Sequence, residues 1–176
     1  MLILGLDPGT ATTGFGVVRA DEKILEVLDF GLISTDKNGS PASRLVRIHK
    51  EVTIIIKKHN PDVVAIEKLF FATNAKTAMS VGQAEGVMLF TAAQRKTTVV
   101  EYAPGTIKKV VAGDGRADKK LVQKAVRKLL GAKVRSKVRE KTHFDNAADA
   151  LAVAICHAYH INDKIKKILL DLAERG

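Results

Sequence analysis

Leu2-Ile3-Leu4-Gly5-Leu6-Asp7-Pro8-Gly9-Thr10 begins the chain as an apolar run that ends abruptly on a carboxylate and a turn. Such a run, stopped by Pro-Gly, reads as a short buried strand. Just downstream, Gly14-Phe15-Gly16-Val17-Val18-Arg19-Ala20 and the segment Ile24–Ser34 flank the polar Asp21-Glu22-Lys23, a pattern that predicts a hairpin. Residues 35–41 carry loop chemistry. From there helical and strand patterns alternate. Leu45, Ile48, Val52 and Ile55 recur at helical spacing between Ala42 and Lys58, and Asn60-Pro61-Asp62 stops that helix before a strand at Val63–Glu67. A helix over 74–93 and a strand at Thr97–Tyr102 follow. Helices over Pro104–Ala112 and Asp118–Leu130 are joined by Gly113-Asp114-Gly115-Arg116, and a basic loop leads to an Ala-rich helix, Ala147–His157. Asp163–Glu174 reads as amphipathic, with Ile165, Ile168, Leu169 and Leu172 on one side. A hairpin followed by alternating helices and strands predicts an α/β protein with a mixed sheet, an antiparallel hairpin plus parallel strands, covered by helices on both faces. With no internal repeat or linker, residues 1–160 form one domain and 161–176 a C-terminal amphipathic helix or tail.

Composition narrows the class. A chain of 176 residues with 46% hydrophobic content is large enough to bury a core. No apolar run reaches membrane-spanning length, and the N-terminus has no basic segment of the kind that opens a signal peptide. One cysteine, Cys156, excludes an intramolecular disulfide and a cysteine-based zinc site. A soluble cytoplasmic protein is expected. The charge is concentrated: residues 105–141 hold 13 Lys/Arg and only three acids, Asp114, Asp118 and Glu140, while the other basic and acidic residues cancel. A one-sided positive field attracts polyphosphate and releases its counterions, although basic runs also serve as ordinary solvated helix faces.

Three acids stand where a fold could bring them together. Asp7 ends the first strand, Glu67 ends the strand beginning at Val63, and Asp149 lies in the first turns of the Ala-rich helix. A carboxylate at the end of a buried strand must be paired, hydrogen-bonded or metal-bound, because desolvating a lone charge is costly. Two strand ends and a helix-borne Asp suggest a carboxylate cage for Mg²⁺, which takes hard oxygen ligands and keeps waters for a phosphate substrate. Taken singly, each acid could equally be a surface charge or a helix cap.

Five motifs occur in one order: Leu4-Gly5-Leu6-Asp7-Pro8-Gly9-Thr10, Gly14-Phe15-Gly16-Val17-Val18, Ala65-Ile66-Glu67-Lys68-Leu69-Phe70, Val81-Gly82-Gln83-Ala84-Glu85-Gly86-Val87 and Ala147-Ala148-Asp149-Ala150-Leu151-Ala152. Together they resemble the RuvC family of bacterial Holliday-junction resolvases, on a ribonuclease-H-like fold, over residues 1–160. The resemblance implies a homodimeric endonuclease that nicks two opposed strands of a four-way DNA junction. It also implies two Mg²⁺ per active site, with Mn²⁺ able to substitute, and RuvA and RuvB as partners. Carried over by position, Asp7, Glu67 and Asp149 are the catalytic metal ligands, Lys108 and Lys119 are catalytic lysines, and Phe70 is a ring that stacks on a junction base. Arg116 and Lys120, beside those lysines, are expected as DNA-backbone contacts. The chain departs from the family pattern at the fourth ligand, where Asn146 stands three residues before Asp149. Asp145, at i−4, shares that helix face and could take the role or act as the helix N-cap; Asn146 could itself ligate, more weakly, through its amide oxygen, and His143, in the preceding loop, is a further candidate. The implied dimer contact falls around Ala78, Gly82 and Gly86, a small-residue stripe that would alternatively pack its helix on the sheet.

Two other classes compete. Asp7-Pro8-Gly9-Thr10 with Thr12-Thr13-Gly14 resembles the phosphate loop of actin-like phosphotransferases, but those close two related domains over a nucleotide. A non-catalytic junction-binding module would account for Asn146, but a pure binder gains nothing from clustered carboxylates facing DNA.

Overall fold

The computed structural model describes residues 1–21, 24–69, 75–131, 141–162, 165 and 167, with backbone only for 75, 76 and 141–146. Strands β1 (Leu2–Asp7), β2 (Thr12–Ala20) and β3 (Leu25–Ser34) come first, followed by helix α1 (Pro41–His59) and strand β4 (Val63–Glu67). Helix α2 (Ala75–Gln94), strand β5 (Thr98–Tyr102), and helices α3 (Pro104–Ala112), α4 (Lys119–Leu130) and α5 (Lys141–Ile161) complete the order. The five strands form one sheet, β3-β2-β1-β4-β5. β1, β2 and β3 pair antiparallel, and β1, β4 and β5 pair parallel. The expected mixed sheet is present.

Local chemistry explains the boundaries. Ser40 caps α1 by accepting from the Ser43 N–H at 3.1 Å, with Pro41 in the first turn, and Asn60 ends the helix in the left-handed region at φ 46°. Asp118 caps α4 by accepting from the Leu121 N–H at 2.8 Å.

The period-2 alternation of the strands divides two cores. Leu4, Leu6, Val64 and Ile66 pack with α1 and α2 on one face. Ile3 and Ala65 pack with α3, α4 and α5 on the other. Counting by twos from Ile3 to Asp7 and from Ala65 to Glu67 puts both strand-end acids on the α5 face. Helices therefore cover both faces, and only one face receives the carboxylates.

α5 lies in a groove made by two glycines. Gly5 and Gly16 are partners across β1 and β2. A Cβ on Gly5 would overlap the Ala150 carbonyl oxygen, and one on Gly16 would stand 2.6 Å from Leu151 Cδ2. Without side chains there, the helix backbone sits directly on the sheet.

Some expectations need correction. α5 begins at Lys141, not Ala147. Asp145 is therefore inside the helix and is not its N-cap, His143 is on the helix and not in a loop, and Asp149 is two turns in. No Pro or Gly interrupts residues 141–146, so helical hydrogen bonding extends back past the buried Ala-rich segment. Of the C-terminal apolar stripe, Ile165 is buried in the α5-face core, and Ile168, Leu169 and Leu172 lie outside the described residues. Among the described residues, no helix is long and apolar enough to cross a membrane.

Candidate active site

β1 and β4 run parallel and adjacent, with Leu6 opposite Ile66, so Asp7 and Glu67 leave the sheet side by side. The Asp7 end is tied down by the turn after it. Thr13 Oγ1 donates to the Gly9 carbonyl at 2.8 Å, and Thr35 Oγ1 donates to the Thr10 carbonyl at 2.6 Å. At the other end Glu67 pairs with Tyr102, and the Lys68 N–H donates to the Tyr102 carbonyl at 2.9 Å. Above them α5 presents Asp149. Pro104, Ile107 and Lys108 of α3, Lys119 and Val122 of α4, and Ala152 of α5 complete a cleft of about 300 Å³.

The electrostatics of this cleft are those of crowded carboxylates partly offset by two lysines. Burial pushes the Asp7 carboxyl up to about 6; the Asp149 charge adds to this and the Lys119 ammonium opposes it. Glu67 is pushed up to about 8, first by burial and then by the negative charges of Asp7 and Asp149, against the pull of Lys108. Asp7 and Glu67 are also hydrogen-bonded to each other. Asp149 Oδ2 is met by Lys119 Nζ at 2.9 Å. The ammonium is half exposed, so this pair adds little stability; its importance is its position.

Among the described residues, no three His, Cys, Asp or Glu side chains form a ready-made metal-ligand cluster. Lys119 supplies the positive charge that Asp149 faces. The donor set nevertheless fits a hard divalent cation: the three ligand candidates in the cleft, Asp7, Glu67 and Asp149, are carboxylates, and two stand half-buried side by side with their ionised forms disfavoured. A cation would relieve that repulsion.

This has a measurable consequence in the metal-free protein. Both carboxyls titrate higher folded than unfolded, so their contribution to stability is full below pH about 4 and is lost as pH rises through about 6 and about 8. The Tm gain on adding saturating Mg²⁺ should therefore be larger at pH 8 than at pH 6. An equal gain at both pH values, measured by calorimetry, would refute this account of the cleft.

The structure sorts the other candidates. Lys108 and Lys119 line the cleft. Arg116 and Lys120 are exposed beside it, and the Arg116 N–H donates to Asp114 Oδ1 at 2.9 Å, shaping the α3–α4 turn. α4 has no acid in its first turn, and Lys119 and Lys120 open it. Cations at a helix N-terminus work against the macrodipole, so helix stability does not explain them; Lys119 is instead engaged with Asp149 across the cleft. Phe70 lies outside the described residues. Asp145, Asn146 and His143 lie on the α5 backbone, with their side chains outside the described set. The sequence reading missed the glycine groove and the cleft walls Pro104, Ile107, Val122 and Ala152. A glycine inside a short apolar strand signals close backbone approach, and Gly5 carried that signal.

A mixed five-stranded sheet whose central strand ends deliver two carboxylates beneath a helix-borne aspartate defines a ribonuclease-H-like protein with a carboxylate-lined cleft. The chain belongs to the RuvC family: the family described as "Crossover junction endodeoxyribonuclease RuvC" matches residues 3–157. A crossover junction endodeoxyribonuclease RuvC of Alkaliphilus oremlandii is 46% identical over 159 residues, covering 90% of this chain and 93% of the relative. The Thermus thermophilus RuvC structure superimposes with a TM-score of 0.77 at 32% identity, over 90% of this chain and 93% of that one. A second structure, T. thermophilus RuvC in complex with Holliday junction substrate, gives 0.75 at 30% identity, with 90% and 93% coverage.

Proposed function

We propose that the Asp7–Glu67–Asp149 cleft is where this crossover junction endodeoxyribonuclease hydrolyses DNA, cutting two opposed strands of a four-way junction by Mg²⁺-assisted attack of water. The observation that carries this reading is the convergence of β1, β4 and α5 carboxylates with Lys108 and Lys119 in one cleft. The ionised carboxylates of Asp7, Glu67 and Asp149 would hold the metal, with Asp7 placed centrally at the end of β1 and Asp145 or Asn146 as the fourth ligand. When bound, two Mg²⁺, or Mn²⁺ in their place, lower the pKa of the attacking water and take up charge on the leaving oxygen. Lys119 then exchanges Asp149 for the phosphate, and Lys108 faces the same anion from α3. Arg116 and Lys120 engage the backbone beside the cut, where contacts position DNA without reading its sequence. Phe70, two residues beyond Lys68, supplies the stacking ring. A pure binding module is disfavoured, because buried carboxylates that repel one another also repel phosphate.

The protein works as a homodimer in the cytoplasm, with RuvA and RuvB as partners. Support for the dimer comes from α2, whose stripe of small residues divides. A Cβ on Gly82 would lie 3.6 Å from Leu69 Cδ2 of the same chain, whereas Gly86 is exposed and opens on free space. Met79 and Phe90, at helical spacing from Gly86, are exposed at 70% and 60%. Gly86→Arg should consequently give a folded monomer with impaired paired nicking and a Tm lowered only by the lost association. Sedimentation showing an intact dimer would refute this interface.

The functional reading is tested on a synthetic four-way junction with linear duplex and metal-free controls. Paired, ligatable nicks that require Mg²⁺ are expected. Tight junction binding without cleavage in Mg²⁺ or Mn²⁺, over varied junction sequences, would favour the binding module.

A further inference from the structure

Glu85 is an acid that the cleft chemistry does not use. It is only 8% exposed, on the inner side of α2, where Ala84 and Met88 pack into the core. Burial raises its pKa, the Leu69 N–H opposes that shift, and the neighbouring Glu101 of β5, hydrogen-bonded to it, adds to the rise. An acid placed there costs free energy unless its oxygens are engaged. One of them is: Glu85 Oε2 accepts from the Leu69 N–H at 3.2 Å. Leu69 is the second residue beyond β4, and its side chain lies over Gly82, one turn away on the same helix, where an added Cβ would stand 3.6 Å from Leu69 Cδ2. α2 thus holds Leu69 by its backbone N–H, while β5 holds Lys68 through the Tyr102 carbonyl. The chain is fixed at successive residues immediately after Glu67.

We infer that Glu85 is a positioning residue for the cleft, which by accepting the Leu69 N–H fixes the exit of β4 and with it the entry of the Glu67 carboxylate into the site. The inference rests on Glu67 being a catalytic carboxylate. Glutamate suits the position because one carboxyl oxygen can accept from Leu69 while the carboxyl also reaches Glu101. Glutamine can make both contacts, and alanine neither.

The test compares Glu85→Gln and Glu85→Ala with wild type in three measurements: thermal unfolding, amide exchange at Leu69, and single-turnover junction cleavage at saturating enzyme alongside junction affinity. In Glu85→Ala, Leu69 exchange should accelerate about tenfold, the size expected for loss of one hydrogen bond to a carboxylate. Junction affinity should stay within about twofold, and the cleavage rate should fall about tenfold or more, as small misplacements of reacting groups do. Glu85→Gln should restore the protection and most of the rate. A wild-type rate in Glu85→Ala overturns the inference. So does a Glu85→Gln variant that protects Leu69 yet cleaves as poorly as Glu85→Ala. A fall in Tm with proportionate losses of affinity and rate in both variants would reduce Glu85 to a core residue and overturn it too. A wild type without nuclease activity would overturn the functional reading and the inference with it, whereas unchanged Leu69 exchange in Glu85→Ala would overturn the inference alone.

Discussion

Asp7→Asn is expected to abolish junction cleavage while making the metal-free protein more stable. The two effects have one cause. Asp7 stands beside Glu67 at the ends of adjacent strands, and burial together with neighbouring negative charge lifts both carboxyls well above their ordinary range. At pH 7 to 8 the fold therefore carries ionised or partly ionised groups that it disfavours. Asparagine removes one charge, lowers the cost of ionising Glu67, and preserves the size of the side chain. A gain of about 1 kcal/mol would appear as about 2–4 °C in Tm for a chain of this length. Cleavage should meanwhile fall about a thousandfold or more, the scale seen when one member of a cooperating catalytic set is removed. Junction binding should hold or tighten, since the site loses a negative charge facing phosphate. Loss of activity with a lowered Tm would mean misfolding. More than a tenth of wild-type cleavage would remove Asp7 from the catalytic set.

Gly5→Ala should be nearly as damaging without touching any charged group. The added methyl has no room, because the Ala150 carbonyl and the Ala154 backbone already occupy the space over β1. α5 must move outward, and overpacking of this kind costs about 1–3 kcal/mol. Asp149 is one residue from Ala150, so a shift of that turn moves the carboxylate and its Lys119 partner relative to Asp7 and Glu67. A displacement of about 1 Å at a reacting group can cost about a hundredfold in rate. The variant should be folded, lower in Tm, and far slower in cleavage, with junction affinity reduced much less. A Gly5→Ala protein with normal cleavage would show that the glycine groove does not set the site, and Gly16→Ala would then be expected to behave the same way.

Much of this was legible in the chain itself. The strand at Val63–Glu67 has the same limits in the sequence reading and in the fold, because Asn60-Pro61-Asp62 stops the preceding helix and Glu67 ends the apolar run. Pro104–Ala112 and the Asp118-capped helix were likewise visible, since caps and apolar spacing are properties of neighbouring residues. The placement of Asp7 and Glu67 on one face follows from counting by twos from buried positions, once β1 and β4 are paired in parallel. The start of α5 was misjudged because polar residues 141–146 give no apolar stripe, while nothing in their chemistry stops a helix.

By itself, then, the sequence determined the mixed sheet, its strand and helix order, and the strand-end positions of Asp7 and Glu67, because periodicity, caps and turn residues act over a few residues of chain. The tertiary structure alone decided how closely α5 approaches Gly5 and Gly16, and that Pro104, Ile107, Val122 and Ala152 wall the cleft. It also decided that Lys119 pairs with Asp149 and that Glu85 reaches Leu69 across 16 positions of chain. Those are facts of distance between residues far apart in sequence, set by how helices seat on the sheet, and no local pattern encodes them.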